Sequence, residues 1–411
     1  MHAVISQRRR RTRVALAGLV MACATSACGT PGASADGPLR VGSALAMTGA
    51  LATEGRLTQQ GYQYCQDVIN THGGVLVGRR HLMLAISYQD DQSSPTASAQ
   101  IVQQFNDQGI RLILGPYGSE ANATVAAMAQ INGQVMIDAA GADDGIFRHG
   151  YTRVFGVESP ASKYGTSIID AVVQDARPGP KTVTVVSADD TFSQAVARSA
   201  IRDVQRRGLR VFPLVTFPAG ATDLSSVVTQ LRAEHPDLVL ESGHFVEGAA
   251  LVLQAAQLGL RTEGIGETVA PTDPAFVGSL GRLANGVIGS TQWVSTWLGQ
   301  DRYFGTAVQY AGGFQAKFGF VPDYHVAEAS AACLALVLAI EHAGSTDPAA
   351  VAAALRRLSV NSFFGQILFA KDGQDTNRRM AVIQVQHGHP VTVWPPNLAQ
   401  APLVWPATAA P

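Results

Sequence analysis

The chain has 411 residues, with 30 Lys and Arg against 31 Asp and Glu, 46% hydrophobic residues and four cysteines. This length suggests two or three domains, and the composition is that of a globular chain able to bury a large core, which argues against wholesale disorder. The formal net charge of −1 argues against a nucleic-acid binder, because such proteins carry a basic surplus. Four cysteines in a chain of this length exclude a disulfide-rich scaffold.

The first 27 residues have the pattern of a secretory signal. Residues 8–13 read RRRRTR, an apolar run follows at 14–24, and small residues precede Cys28. A basic region, a short apolar region and small residues before a cleavage site are typical of a signal peptide. An N-terminal membrane anchor is the alternative, but the apolar run is shorter than the roughly 18–20 residues of a spanning helix.

The sequence Thr25-Ser26-Ala27-Cys28 resembles a bacterial lipobox, although Thr25 stands where such motifs usually have Leu. We therefore predict a signal peptide at 1–27, lipidation of Cys28 and a flexible tether at 28–38, rich in Gly, Ser, Ala and Pro. Export by the twin-arginine route remains an alternative to the general secretory route. Removal of residues 1–27 takes away five Arg and no acid, so the mature chain would carry a net charge of −6.

From residue 39 onward, apolar β-rich runs alternate with amphipathic or Ala-rich stretches. Such alternation, with helices of about 10–18 residues, predicts βαβ units and parallel sheets. So many units exceed one sheet, and we predict an α/β fold with two doubly wound lobes. The predicted strands are 39–47, 82–87, 112–114, 135–137, 182–186, 211–215, 238–240 and 287–290, and the predicted helices are 57–71, 95–107, 120–132, 161–176, 192–207, 222–234, 245–258, 300–318 and 324–342.

Two of the cysteines, Cys65 and Cys333, lie in helix-like apolar patterns. We expect them to be small core residues rather than a disulfide, because buried cysteine commonly acts as a modest hydrophobe. The pairs His325/Glu328 and His387/His389 have spacings that a metal could use, but no further ligands lie nearby in sequence. We expect solvated histidines there and no metal or cofactor.

The sequence has neither a phosphate-binding Gly-Lys-Ser/Thr loop nor a GxGxxG motif opening a helix, which disfavours a nucleotide-binding Rossmann enzyme. Ligands of open α/β sheets bind beyond the carboxyl ends of the strands. The loops at those ends are rich in Gly, Ser, Thr and acids, and no nucleophile-and-base pair stands out among them. They span 47–55, 115–120, 138–144, 188–193, 241–247 and 265–271.

Several motifs in these loops and helices occur in a family-specific order. They include LRVGSALAMTGALATEG, INTHGGVLVGRRHL, DDQSSP, GPYGSEANATVA, FGVESPASKYG, ESGHFVEGAALVLQAAQLGL, AGSTDPAAVAAALRRLS and FFGQILFAKDGQ. With these motifs the chain, from residue 39 to about 394, resembles the type I periplasmic binding proteins. The resemblance is to the Leu/Ile/Val-binding branch, which serves ABC importers.

The resemblance implies two lobes joined by a three-crossover hinge that close on a solute and present it to a permease. Lobe 1 would comprise 39–158 plus 287–359, and lobe 2 would comprise 159–286 plus 360–411. We therefore expect a monomeric, non-enzymatic receptor outside the cytoplasm that touches the membrane only through its lipid and binds no nucleic acid.

Residues of the family site carry over one by one. Ser119, beside Tyr117, matches the serine that binds a ligand carboxylate, although it could be only a helix cap. The loop containing Ala140, Gly141 and Ala142 matches the segment whose backbone also holds the carboxylate. Ala142 replaces a usual Ser or Thr, which puts simple α-amino-acid recognition in doubt.

The remaining candidates come from both lobes. Glu267 matches the acid that accepts a ligand ammonium, with a solvated loop charge as the equally favoured alternative. Phe192 stands where the family usually has Tyr-Gly, and His244 stands where it usually has Tyr or a small residue. Glu54 stands where an aromatic often covers the ligand. Trp293 would wall the pocket or belong to the core.

The favoured function is a solute receptor for an ABC importer that takes an amino acid or a related amine-bearing compound. A ligand sensor or amide-responsive regulator of the same fold is the second hypothesis. A secreted α/β enzyme is the third, and the lack of a catalytic constellation opposes it.

Overall fold

This computed structural model describes residues 37–407. The predicted signal peptide, Cys28 and all but the last two residues of the predicted tether lie outside the described residues.

A five-stranded parallel sheet forms the centre of lobe 1, in the order β4-β1-β5-β6-β7. The strands are nearly continuous in apolar residues because helices cover the sheet. Gly42 in β1 faces the ring of Phe105 in α2, and a Cβ there would lie 2.6 Å from the ring, so only glycine fits. The elements are β1 Leu39–Leu45, α1 Ala52–Thr71, the hairpin β2 Val75–Val77 and β3 Arg80–Leu82, β4 Leu84–Asp90, α2 Pro95–Asp107, β5 Leu112–Leu114, α3 Ser119–Asn132, β6 Val135–Asp138 and β7 Val154–Gly156.

A larger mixed sheet forms lobe 2, in the order β10-β8-β11-β12-β13-β18-β19, with β9 beside β8. It is parallel as far as β13, and β18 and β19 continue it antiparallel. Its first elements are α4 Tyr164–Asp175, β8 Thr182–Ala188, α5 Thr191–Arg206, β9 Arg210–Val211, β10 Val215–Phe217, α6 Ser225–Glu234, β11 Leu238–Ser242, α7 Phe245–Gln257, β12 Gly264–Glu267, α8 Pro274–Leu280 and β13 Ile288–Thr291.

The chain then returns to lobe 1 before it completes the second sheet. This passage contains β14 Gln300–Asp301, β15 Gly305–Thr306, α9 Ala307–Phe318, α10 Tyr324–Ala343, α11 Pro348–Leu355, β16 Ser359–Ser362 and β17 Gly365–Leu368, after which β18 Ala381–Gln386 and β19 His389–Trp394 close lobe 2. The chain therefore passes between the two sheets three times, which confirms the predicted fold class.

Helix α10 packs directly on α1. The Ser330 hydroxyl donates to the carbonyl oxygen of Gly61 at 2.7 Å, and a disulfide joins Cys65 to Cys333 with their Cα atoms 6.3 Å apart. The expectation of two unpaired core cysteines was wrong, because the close approach of these helices brings the two Cα atoms within disulfide range.

Two boundaries also differ from the prediction. Strand β13, which we placed in lobe 1, pairs with β12 and β18 in the second sheet. The hairpin of β16 and β17, most of which we placed in lobe 2, buries Phe363, Phe364 and Ile367 in the core shared with α1 and α10.

The predicted helix at 300–318 begins later than expected. Residues 300–306 form the short pair β14 and β15, and α9 begins only at Ala307 after a Thr306 capping box.

Among the described residues, α10 is long and apolar enough to cross a membrane by length and composition. Most of its side chains, however, lie in the protein core.

Candidate functional site: a cleft between the two lobes

Two neighbouring cavities lie where the carboxyl ends of strands from both lobes meet. We call them the inner cavity, of about 20 Å³, and the outer cavity, of about 160 Å³. The inner cavity is lined by Tyr117, Gly118, Ser119, Ala140, Ala142, Glu158, Tyr164, Phe192, His244, Val269, Tyr324 and Glu328. The outer cavity shares Tyr117, Gly118, Ser119 and His244 and adds Leu51, Asp91, Glu120, Asp190, Gly220 and Glu247, among others.

Tyr117 of lobe 1 and His244 of lobe 2 meet between the two cavities. The phenol oxygen lies 3.0 Å from His244 Nδ1, and His244 Nε2 lies 3.7 Å from an Asp190 oxygen. Burial alone would lower the pKa of His244, but the nearby Asp190 carboxylate raises it to about 9. His244 is therefore an imidazolium at neutral pH, and it donates through Nδ1 to Tyr117.

Glu54 makes a second bond across the cleft. Its side chain is fully buried, and Oε1 accepts from the backbone N–H of Phe245 at 2.8 Å. Phe245 is the first residue of α7, whose own N-cap residue, His244, makes no side-chain cap bond. A carboxylate is favourable at a helix N-terminus, so Glu54 of lobe 1 caps a helix of lobe 2.

Ser119 begins α3 and tethers the neighbouring loop. Its hydroxyl oxygen accepts from the backbone N–H of Asp143 at 3.1 Å. Asp138 fixes the start of the same loop, since its Oδ1 accepts from the N–H groups of Ala140 at 3.0 Å and Gly141 at 2.8 Å. Burial raises the pKa of Asp138 to about 7. The loop and the N-terminus of α3 thus form one wall of the cleft, and a helix N-terminus is a favourable place for an anion.

The structure brings six of the predicted site residues together around the inner cavity: Tyr117, Ser119, Ala140, Ala142, Phe192 and His244. Gly141 lies behind this wall, against the side chain of Asn122.

Two predicted residues lie elsewhere. Glu267 is fully buried, lines neither cavity and stands next to Glu241 in the register of β12 and β11. Burial raises the pKa of Glu267 to about 8. Trp293 donates to the carbonyl oxygen of Phe363 at 3.0 Å and lines a separate groove.

Six residues of the inner cavity were not among the predicted site residues: Gly118, Val269 and the four polar or aromatic side chains of Glu158, Tyr164, Tyr324 and Glu328. The family motif FGVESPASKYG contains Glu158 and Tyr164, but nothing in that motif marks their side chains as lining a cavity.

The expectation of solvated histidines was wrong for His325, which is fully buried and contacts the Asp323 carboxylate through Nδ1. His387 and His389 are exposed, as expected. Within residues 37–407 there is no group of three or more His, Cys, Asp or Glu side chains that could hold a metal ion.

This two-lobed fold with a cleft between its sheets occurs in solved solute-binding proteins. A branched-chain amino acid transporter substrate-binding protein from Streptococcus pneumoniae, solved with isoleucine, superposes with a TM-score of 0.78 at 20% identity, covering 90% of this chain and 99% of that one. An ABC transporter solute-binding protein from R. palustris, solved with benzoate, gives a TM-score of 0.75 at 17% identity, covering 90% and 98%.

The sequence comparisons agree with the fold. The Leu/Ile/Val-binding protein homolog 8 of Brucella suis is 22% identical over 94% of this chain and 97% of its own length. The model of the family described as periplasmic binding protein matches residues 38–390. The chain belongs to this family, of the type I, Leu/Ile/Val-binding kind that the sequence resemblance indicated.

Proposed function

We propose that this protein is an extracytoplasmic solute receptor that captures an amino acid or a related small amine-bearing compound between its lobes and delivers it to an ABC importer. The observation that carries the proposal is the convergence of polar side chains from both lobes on the inner cavity. The relatives named above, one of them solved with an amino acid, support it.

The contacts across the cleft are suited to reversible closure. Glu54 with Phe245, Tyr117 with His244, and the bond of 3.1 Å from Thr191 to Glu120 each join one lobe to the other. Such polar bonds contribute roughly 1 kcal/mol each. Opening therefore costs little, and a ligand with affinity for both walls can shift the equilibrium toward closure.

The volume of the inner cavity restricts how a ligand can enter. About 20 Å³ holds little more than one water molecule. A solute as large as an amino acid must therefore enter an open form, and the lobes must then close around it with rearranged side chains. Rigid rotation of the two lobes about the three crossovers is the corresponding hinge motion.

We further propose that lipidated Cys28 anchors the receptor at the membrane and that the receptor is a monomer. The lipobox-like sequence before Cys28 supports the anchor. Metabolic labelling with a fatty acid tests it, with Cys28→Ser as the variant expected to lose the label. Light scattering of the mature chain tests the oligomeric state.

A thermal-shift screen of the mature protein against amino acids, amides, polyamines and aromatic acids tests the function. We expect stabilisation by at least one amine-bearing solute, confirmed by calorimetry, and uptake of that solute by membranes containing the partner permease. Chemical conversion of a bound solute would favour the enzyme alternative, because a receptor releases its ligand unchanged. Binding without any transport partner would favour the sensor alternative.

A further inference from the structure

Two glutamates from different parts of lobe 1 line the inner cavity. Glu158 follows β7 and is 3% exposed, and Glu328 lies in α10 and is 1% exposed. Within residues 37–407, Glu158 Oε1 has no hydrogen-bond partner. An unpaired buried carboxyl oxygen is costly, so this one is a candidate for contact with a ligand.

The hinge holds both glutamates in place through Gln292. Gln292 Nε2 lies 2.6 Å from Glu328 Oε2 and 2.7 Å from the Tyr164 hydroxyl. Gln292 Oε1 accepts from the backbone N–H of Ser159 at 2.5 Å, directly beside Glu158. Because Gln292 lies on the second crossover and Ser159 on the first, the position of the glutamates is fixed by the crossovers themselves.

Arg378, on the third crossover, lies near this pair and donates to the carbonyl oxygen of Gln292 at 2.9 Å. Burial raises the pKa of Glu328, although Arg378 lowers it in part. Burial and the neighbouring acids Asp138 and Glu328 likewise raise the pKa of Glu158, although hydrogen bonds from Gln292 and Tyr164 lower it in part. A cation bound in the inner cavity would favour the ionised form of these carboxyl groups.

The rest of the lining fits a ligand with separated charges. Tyr164 and Phe192 meet edge to face with centroids 5.2 Å apart, and Tyr324 stands 6.4 Å from Tyr164. Aromatic surfaces of this kind tolerate or attract a cationic nitrogen. The positive charge of His244 and the N-terminus of α3 at Ser119 supply the opposite polarity within the same cavity.

We propose that Glu158 and Glu328 form a subsite for the cationic nitrogen of the ligand, while Ser119 and His244 receive its anionic group. The ligand class is therefore a small zwitterion whose nitrogen is bound from the hinge side of lobe 1. Glu267, at the family's ammonium position, is fully buried and lines neither cavity in this structure. The inference rests on the proposed receptor function and names the charge that the receptor recognises.

The test uses methylammonium chloride as a probe of the subsite, with sodium chloride at the same concentration as the reference. The proteins are the mature chain and its Glu158→Gln, Glu328→Gln and Glu267→Gln variants. Glu263→Gln, a glutamate that lines neither cavity, is the matched control. We expect methylammonium to raise the melting temperature of the wild type, Glu267→Gln and Glu263→Gln more than sodium chloride does. Its affinity should fall at least about tenfold in Glu158→Gln, since charge-assisted bonds are the stronger ones.

A second measurement compares L-leucine with 4-methylpentanoate, which lacks the amine, on the same proteins by calorimetry. We expect Glu158→Gln to reduce the preference for the amine-bearing probe, and Glu158→Asp to restore part of it. Equal methylammonium stabilisation in wild type and Glu158→Gln, or no stabilisation of the wild type beyond the salt reference, would overturn the subsite. Failure of every solute in the broader screen, with the methylammonium response intact, would instead count against the receptor function alone.

Discussion

The Ser119 hydroxyl can accept one hydrogen bond and donate another, and replacing Ser119 tests both roles. Its oxygen accepts from Asp143 N–H in the structure, which leaves its proton available to a ligand carboxylate. We expect Ser119→Ala to weaken carboxylate-bearing ligands about tenfold, as for loss of one bond to a charged group, and neutral ligands less. Calorimetry with a matched acid and amide measures both losses.

The control for this change is Ser279→Ala, at a serine whose hydroxyl donates within its own turn to the carbonyl oxygen of Phe276. It should leave both affinities unchanged. Equal losses for the acid and the amide in Ser119→Ala would mean that the serine acts only by holding the loop of Asp143.

At the residue scale, position in a motif was a better guide than residue chemistry. Tyr117, Ser119 and His244 could be predicted because each follows a strand of a recognisable pattern. Glu158 and Glu328 could not, because an acid in a loop or an Ala-rich helix usually faces solvent. Only the packing of α10 against the first crossover shows that both are buried.

At the scale of elements, the hydrogen bond between Glu54 and the N-terminus of α7 holds the two lobes together. We expect Glu54→Ala to destabilise the closed form by about 1 kcal/mol, the usual cost of losing a helix cap. Ligand affinity should fall about fivefold for ligands of every charge, because closure and not ligand contact is lost. Glu54→Gln, which keeps an acceptor oxygen, should lose less.

Small-angle X-ray scattering of the ligand-free protein provides an independent test of the role of Glu54 in lobe closure. The Glu54→Ala protein should show a larger radius of gyration than Glu54→Gln. A loss of affinity confined to amine-bearing ligands would place Glu54 at the ligand instead, as the sequence resemblance first implied.

The disulfide between Cys65 and Cys333 is a second bond that joins two elements, here α1 and α10. It closes a loop with a sequence separation of 268 residues, so its loss should lower the free energy of unfolding by about 2–4 kcal/mol. Equilibrium urea denaturation of a Cys65→Ala/Cys333→Ala protein measures this. Ligand affinity should stay within twofold, since neither cysteine lines the inner or outer cavity. An unchanged denaturation midpoint would show that the two helices are held by packing alone.

The order and type of the main elements followed from periodicity, but their assignment to sheets did not. Strand β13 has the same apolar pattern whichever sheet it joins, and only its pairing with β12 and β18 decides the matter. The segment 300–306 has helical composition, yet β14 pairs with β15 in the structure. Long-range pairing overrode local preference at both places.

At the scale of the whole molecule, the crossovers between the lobes contact the inner cavity. Gln292 and Arg378 lie on two of the crossovers and are bonded to each other, and Gln292 in turn bonds to Glu328 at the inner cavity. A charged ligand at the proposed subsite would therefore act directly on the segments that connect the two lobes.

Buried acids throughout the fold also set how stability depends on pH. Burial raises the pKa of Asp138 and Asp273 to about 7 and that of Glu267 to about 8, while His244, despite its burial, has a pKa raised to about 9 by Asp190. Each group binds its proton more tightly in the folded state. The stabilisation is thus full below the ordinary pKa of each group and is lost as pH rises through the folded value.

We therefore expect the free energy of unfolding to fall steadily from about pH 5 to pH 9, with up to ~1.4 kcal/mol per pH unit from each group that titrates. Urea denaturation at a series of pH values measures the slope. Glu267→Gln, which imitates the protonated acid, should flatten the decline between pH 5 and 8, whereas the Glu263→Gln control should keep the wild-type slope. Stability that rises over this range would show that these groups lose their protons more easily in the folded protein, contrary to their burial.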